Sequence, residues 1–289
     1  MEYTYPQDFL GRSWQDVVAP GQYFRLILDP SCTGISNAKF MDCEYLIEIV
    51  YSDGKDSELL RIDRYAFAGC YNLQRMNPFP GGLVELGDYA FFGCSQLQGR
   101  ISIPSSIRYV RNSCFKCCQS ITSVVFEPSS SSSTATVELS ESVFSNCLEL
   151  LSARLPQNLT VIPINCFGRC LSLIDVPIPE TVQTIRVGAF AYCLALSAVA
   201  LPESVIAIDG RAYCCCSGLA SVTIRSSTNA LQIGRNGFEA CPSLATIRVI
   251  NPLVWSRLFS AMNTDPSFIY KFVRKYEDQI IMTHHRSSR

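Results

Sequence analysis

Histidine is almost missing from this chain: there are two in 289 residues, His284 and His285, both close to the end. That scarcity removes Ser-His and Cys-His pairs from nearly the whole sequence, and with them a common way of activating a nucleophile. Charge is sparse as well. Charged residues make up 17% of the chain and nearly cancel, leaving a net charge of −1. Binders of nucleic acid or anionic membranes need a basic surface, so this balance argues against both. No stretch reaches the roughly 18 consecutive apolar residues of a membrane span. No Gly-x-x-x-x-Gly-Lys-Ser loop is present to cradle phosphates, and acidic residues do not recur at spacings that would pair them. Residues 1–30 lack a basic start followed by an apolar run, and neither end carries a lipidation motif. The expectation is a cytoplasmic, non-catalytic protein with no cofactor, no metal site, no nucleic-acid partner and no membrane span.

What the chain has in quantity is repetition. Phe, two residues, Cys, two residues, Leu recurs nine times. The run begins Phe40-Cys43-Leu46, Phe67-Cys70-Leu73, Phe91-Cys94-Leu97, Phe115-Cys118-Ile121 and Phe144-Cys147-Leu150. It continues Phe167-Cys170-Leu173, Phe190-Cys193-Leu196, Tyr213-Cys216-Leu219 and Phe238-Cys241-Leu244. Cys147, Cys170, Cys193 and Cys216 are 23 residues apart, and longer intervals elsewhere mark insertions on a fixed frame. A period in this range signals stacked coils, because one such unit cannot hide its own apolar positions.

The unit from Pro179 to Pro202 shows how a coil is made. Val182 and Ile185 form one short extended segment; Ala189-Phe190 and Cys193 suit a tight helical turn; Leu196-x-x-Val199-x-Leu201 alternates with period two and ends at proline, as a strand does. Proline lacks a backbone donor and belongs where the strand exits. The fold class expected is α/β: a right-handed solenoid, β-rich with short helical turns and a parallel sheet on one face.

This frame resembles the leucine-rich repeats of the BspA-like, Treponema pallidum type, written Pro-x-x-Val-x-x-Ile-x-x-x-Ala-Phe-x-x-Cys-x-x-Leu-x-x-Val-x-Ile. The resemblance runs from about Phe40 to Val249. It implies a leucine-rich-repeat solenoid and a surface or interaction role without catalytic residues. The asparagine position of better-known leucine-rich repeats is not kept, so no buried asparagine ladder is implied.

Fifteen cysteines admit three readings. Nine share one repeat position, and Cys114 and Cys166 fill a slot held by alanine in other coils, which suits buried thiols acting as small hydrophobes. A disulfide staple is the second reading; equivalent cysteines on adjacent coils would stand about 4.8 Å apart, yet in-register side chains point in parallel. Metal binding is the third, at Cys114-x-x-Cys117-Cys118 or Cys214-Cys215-Cys216. Structural zinc, however, wants four convergent ligands. The surplus thiols Cys117, Cys214 and Cys215 are the candidates for oxidation.

Three segments follow: an N-terminal cap over 1–39, the solenoid of about nine repeats over 40–250, and a C-terminal helical cap and tail over 251–289. Tyr23–Asp29 reads as a strand within the first segment. Asn251-Pro252 and Asp265-Pro266 each read as helix starts, predicting an antiparallel helix pair that closes the last coil. The serine-rich stretch 128–136 reads as a loop.

Side chains alternate along a strand, so one residue between the two inward apolar positions faces out. Down the stack these are Ser102, Val125, Arg154, Pro177, Ala200, Thr223 and Arg248, flanked by a column starting Gly99, Ser123 and Ser152. A strip of this kind suits a protein or peptide partner, with arginine as its anchor. The function expected is an interaction scaffold; the alternative is a cell-surface adhesin, which the family resemblance implies.

Overall fold

The computed structural model describes residues 1–289 except 52–56, 129–135, 227–230, 250–268, 277–278 and 286–289, and for 269–276 and 279–285 it describes the backbone. The chain divides into two compact units, Met1–Pro156 and Gln157–Arg289. Each is a stretch of parallel β-solenoid with very little helix.

Most coils supply a long and a short extended segment. In the first unit the long ones are Phe24–Leu28, Leu46–Tyr51, Arg75–Met76, Gly99–Ile103, Ile121–Phe126 and Ser152–Arg154. They pair in parallel as two sheets, one ending at Arg75–Met76 and the other starting at Gly99–Ile103. The short segments, from Gly34–Ile35 to Glu138–Leu139, form a second row, also parallel. The second unit repeats the scheme, with long strands Ala198–Leu201, Ser221–Ile224 and Thr246–Val249. Alternation decides which side goes in: along Phe24–Leu28, residues 24, 26 and 28 are buried and the two between them are not.

The third side of each coil holds the Ala-Phe-x-x-Cys segment, and here the structure differs from a helical turn. Two residues four apart take left-handed conformations in coil after coil: Tyr65 (φ 57°) and Gly69 (74°), Asn165 (51°) and Arg169 (63°), Gly188 (64°) and Tyr192 (63°). For a residue with a Cβ that conformation costs roughly 1–2 kcal/mol. What offsets it is pairing along the stack. Tyr65, Phe67 and Gly69 donate their amides to the carbonyls of Asp88, Ala90 and Phe92 in the next coil, at 2.9, 2.8 and 2.7 Å. A helix would aim those amides along its own axis and leave the coil edges unpaired. Close stacking also selects glycine where backbones meet: a Cβ on Gly87 would stand 2.6 Å from the Arg64 amide nitrogen.

The core is a column of rings. Phe40, Phe67, Phe91, Phe115 and Phe144 stack with centroids 5.2–5.8 Å apart in the first unit. Phe167, Phe190, Tyr213 and Phe238 do so at 5.0–5.4 Å in the second. The spacing follows from the roughly 4.8 Å separation of hydrogen-bonded strands, which forces equivalent rings into near-parallel contact. At the N-terminal end, Glu2–Tyr5 adds a parallel strand to Phe24–Leu28. Phe9 meets the exposed face of the first ring edge-on, 5.1 Å from Phe40, and Trp14 donates its indole N–H to the Met41 carbonyl at 2.9 Å.

The C-terminal end corrects a sequence expectation. The second predicted helix, starting at Asp265-Pro266, is instead a β-hairpin of Ile269–Tyr276 and Gln279–His285. Its second strand pairs antiparallel with Thr246–Val249. The physical reason is local composition together with an open edge: Ile, Tyr, Phe and Val favour strands, and the last coil otherwise presents an unpaired row of backbone groups. The first predicted helix, over 252–262, and most of the serine-rich stretch lie outside the described residues.

The ring column makes a quantitative expectation. Phe190 is 1% exposed and stacked on both sides, so Phe190→Ala should destabilise the protein by about 3–5 kcal/mol. Denaturant unfolding measures this directly, and a change below about 1 kcal/mol would contradict the inward stacking.

Candidate functional site

The residues of the outward strip fall on the long strands, in two groups. In the first unit Val125 stands opposite Ser102 on one side and Arg154 on the other. In the second, Thr223 stands between Ala200 and Arg248. Pro177 is exposed, but its segment Asp175–Ile178 forms no ladder strand, only an isolated bridge at Asp175. A proline at that point withholds the amide a ladder would use. The flanking column also departs from its sequence-based register: a bulge places Gly99 opposite Ile121 and brings Arg100, not Gly99, opposite Ser123.

Several polar residues on this face were not anticipated. Arg25 donates to Glu48 at 2.7 Å and to Glu2 at 2.7 Å, and Arg75 follows Glu48 in register, so charge alternates across the first four strands. Farther along, Glu127 accepts hydrogen bonds from the Ser102 hydroxyl and, at 3.0 Å, from Arg100. The Ser102 contact, followed by Arg100, holds the Glu127 carboxyl below the usual carboxylate range. Arg154 lies next to this network, is exposed, and forms no ion pair among the described residues. It is an exposed cation that acts on Glu127 through space, on an otherwise small and mildly polar surface.

The cysteine column is more than packing. Thiols along it reach back to the ring residue's carbonyl in the preceding coil: Cys70 to Phe40 at 3.0 Å, Cys94 to Phe67 at 3.2 Å, Cys118 to Phe91 at 3.0 Å, Cys193 to Phe167 at 3.2 Å, Cys216 to Phe190 at 3.1 Å and Cys241 to Tyr213 at 3.1 Å. This thiol ladder also accounts for Cys118 and Cys216, which the local Cys-rich sequences offered as metal ligands. Among the described residues no three His, Cys, Asp or Glu side chains converge to hold a metal, and no disulfide links the cysteines. Cys214 and Cys215 lie with their sulfurs 3.2 Å apart.

Comparison with known proteins accords with this architecture. The family model for the BspA-type leucine-rich repeat region matches residues 25–136 and 137–261, in six copies. The chain belongs to the BspA-type leucine-rich repeat family. A leucine-rich repeat protein from Bacteroides ovatus is similar in fold, with 22% identity and a TM-score of 0.60 over 77% of this chain and 62% of that one. The present chain therefore spans less than two thirds of that protein. The Treponema pallidum leucine-rich repeat protein matches with 26% identity and a TM-score of 0.50 over 61% of this chain and 79% of that one. No curated protein matches. Among the described residues no helix is long and apolar enough to cross a membrane.

For this BspA-type array, the ladder sets a pH dependence. Burial pushes the Cys43 thiol up to about 12 and drives those of Cys70, Cys118 and Cys193 well above the ordinary thiol range. Unfolded thiols ionise near pH 8.5. A pKa raised by folding contributes stability that is complete below the unfolded value and lost as pH climbs toward the folded one. The unfolding temperature should hold steady from about pH 6 to 8 and fall from about pH 9 toward 12. Iodoacetamide mapping at pH 8 should mark half-buried Cys117 and Cys215 first. Equal labelling of Cys118 in the folded protein would contradict the ladder.

Proposed function

We propose that this protein is a non-catalytic interaction scaffold whose outward long-strand face binds an extended protein segment bearing a carboxylate. The observation that carries this reading is Arg154: an exposed guanidinium with no ion pair among the described residues, beside a Glu127 already occupied by Ser102 and Arg100. A guanidinium offers a planar fork matched to a carboxylate. The neighbouring Val125 and the small side chains of Ser123 and Ser152 leave room for a backbone to lie across the strands. Arg248 supplies the corresponding cation in the second unit.

The same reading places the protein in a reducing compartment. Fifteen free cysteines with no disulfide among them are the usage of a reducing compartment. Recovery of the untagged chain at the outer cell surface would replace this location with the adhesin reading.

The binding proposal is tested with blocked extended octapeptides that differ only in acidic content, titrated against the full chain. Acidic peptides should bind best, and Arg154→Ala should weaken them by about tenfold, the loss of one charge-assisted hydrogen bond, at an unchanged unfolding temperature. Equal affinity for neutral and acidic peptides, or no effect of Arg154→Ala, would sink the proposal.

A further inference from the structure

Two adjacent thiols stand outside the ladder. Cys216 belongs to it, its sulfur tied to the Phe190 carbonyl at 3.1 Å, whereas Cys214 and Cys215 have no place in the column. Along extended backbone, successive side chains point to opposite faces and neighbouring sulfurs stay apart. Cys215 is left-handed, at φ 61°, which breaks that alternation, and the two sulfurs close to 3.2 Å. Cys215 is half-buried and Cys214 is buried, so the first is the one that a solute reaches. The pair is also held from both sides. The Tyr192 hydroxyl is hydrogen-bonded to the Cys215 side chain. One Glu239 carboxylate oxygen lies 3.9 Å from the Cys214 sulfur and 3.9 Å from the Arg211 guanidinium. Burial, followed by the contact with Cys215, pushes the Cys214 thiol up to about 12, so Cys214 keeps its proton at neutral pH.

We propose that Cys214 and Cys215 form a peroxide-reactive dithiol, a modification site at which a small hydroperoxide converts the pair into a vicinal disulfide. The Cys215 sulfur attacks one peroxide oxygen and the O–O bond breaks. The departing hydroxide takes the Cys215 proton as water, leaving a sulfenic acid. Cys214 then attacks the Cys215 sulfur: the S–S bond forms, the S–O bond breaks, and the Cys214 proton passes through Glu239 to the second departing hydroxide. Two thiols thus give up two electrons and two protons, and one peroxide becomes two waters. Little movement is needed, because the sulfurs are already in contact. In a reducing compartment such a bond is transient, and a small dithiol returns the pair to thiols. The site does not depend on Arg154 or on a carboxylate partner.

Cys117 supplies an internal control. It is left-handed at φ 64° and half-buried, as Cys215 is, but the residue before it is Lys116. The thiol after it, Cys118, is tied to the Phe91 carbonyl just as Cys216 is tied to that of Phe190. A sulfenic acid at Cys117 therefore lacks a ready thiol to condense with.

The test treats the reduced full chain with hydrogen peroxide at neutral pH in the presence of dimedone, which traps sulfenic acids. Remaining thiols are alkylated in denaturant and the peptides mapped by mass spectrometry. We expect dimedone on Cys117. The peptide holding Cys214–Cys216 should be lighter by two hydrogens, with its single alkyl group on Cys216. Dithiothreitol before alkylation should abolish that mass loss. Cys214→Ser, at an unchanged unfolding temperature, should raise the dimedone adduct at Cys215 from background to the level of Cys117. If that variant unfolds, the map of the unaltered chain still decides. Dimedone on Cys215 of the unaltered chain as abundant as on Cys117, a bond that includes Cys216, or a pair left unoxidised overturns the proposal.

Discussion

A carbonyl oxygen has two lone pairs, and the column phenylalanines use both. The Phe40 oxygen accepts the Cys43 amide at 3.1 Å, closing the turn within its own coil, and the Cys70 thiol at 3.0 Å, tying that turn to the next coil. Phe67 does the same with the Cys70 amide and the Cys94 thiol, both at 3.2 Å. One atom therefore fixes the local bend and the stacking step together. Cysteine meets the demand because it is small and apolar yet still donates a proton. Alanine would fill part of the space and leave the second lone pair empty. The strict three-residue interval between ring and thiol follows, whereas the distance from one coil to the next is free to vary.

Much of this could be read from the residues. Ring, thiol and leucine recur in one frame, so which side chains point inward was legible from Phe40 to Leu244. The strand at Phe24–Leu28 showed in its alternation. What stayed hidden depends on contacts between coils rather than on pattern within one. Left-handed residues such as Tyr65 and Arg169 are not left-handed formers by type; the neighbouring coil's carbonyls hold them there. The one-residue bulge that sets Arg100 against Ser123 leaves no mark in a repeat alignment. The C-terminal stripe of Phe268, Phe272 and Tyr276 satisfies helical and strand periods alike, and the open edge of Thr246–Val249 decided between them.

The outward face was legible only in part, for a related reason. A strip read one residue per coil reveals which side chains share a surface but not which of them are already engaged. Ser102 looked available and is bonded to Glu127. Arg25 was set aside with a segment outside the repeat, yet it links three strands through Glu2 and Glu48. Arg75 and Arg154 are the exposed guanidiniums of the first unit's long strands that form no ion pair among the described residues, and Arg154 is the one that the strip includes. Chemistry on a repeat surface is thus defined by the irregular coils, where an insertion, a proline or a misfit ring interrupts an otherwise uniform wall.

The terminal hairpin bears on how long such a molecule can become. Parallel coils add without limit, since each offers the following one the same template, and a second copy docking head-to-tail would start a filament. Gln279–His285 runs antiparallel to Thr246–Val249 and carries Ile269–Tyr276 as the outermost strand, so a hairpin and not a further coil forms that rim. An incoming coil no longer meets a template like the one it was built to follow. The hairpin acts as a stop codon written in backbone geometry.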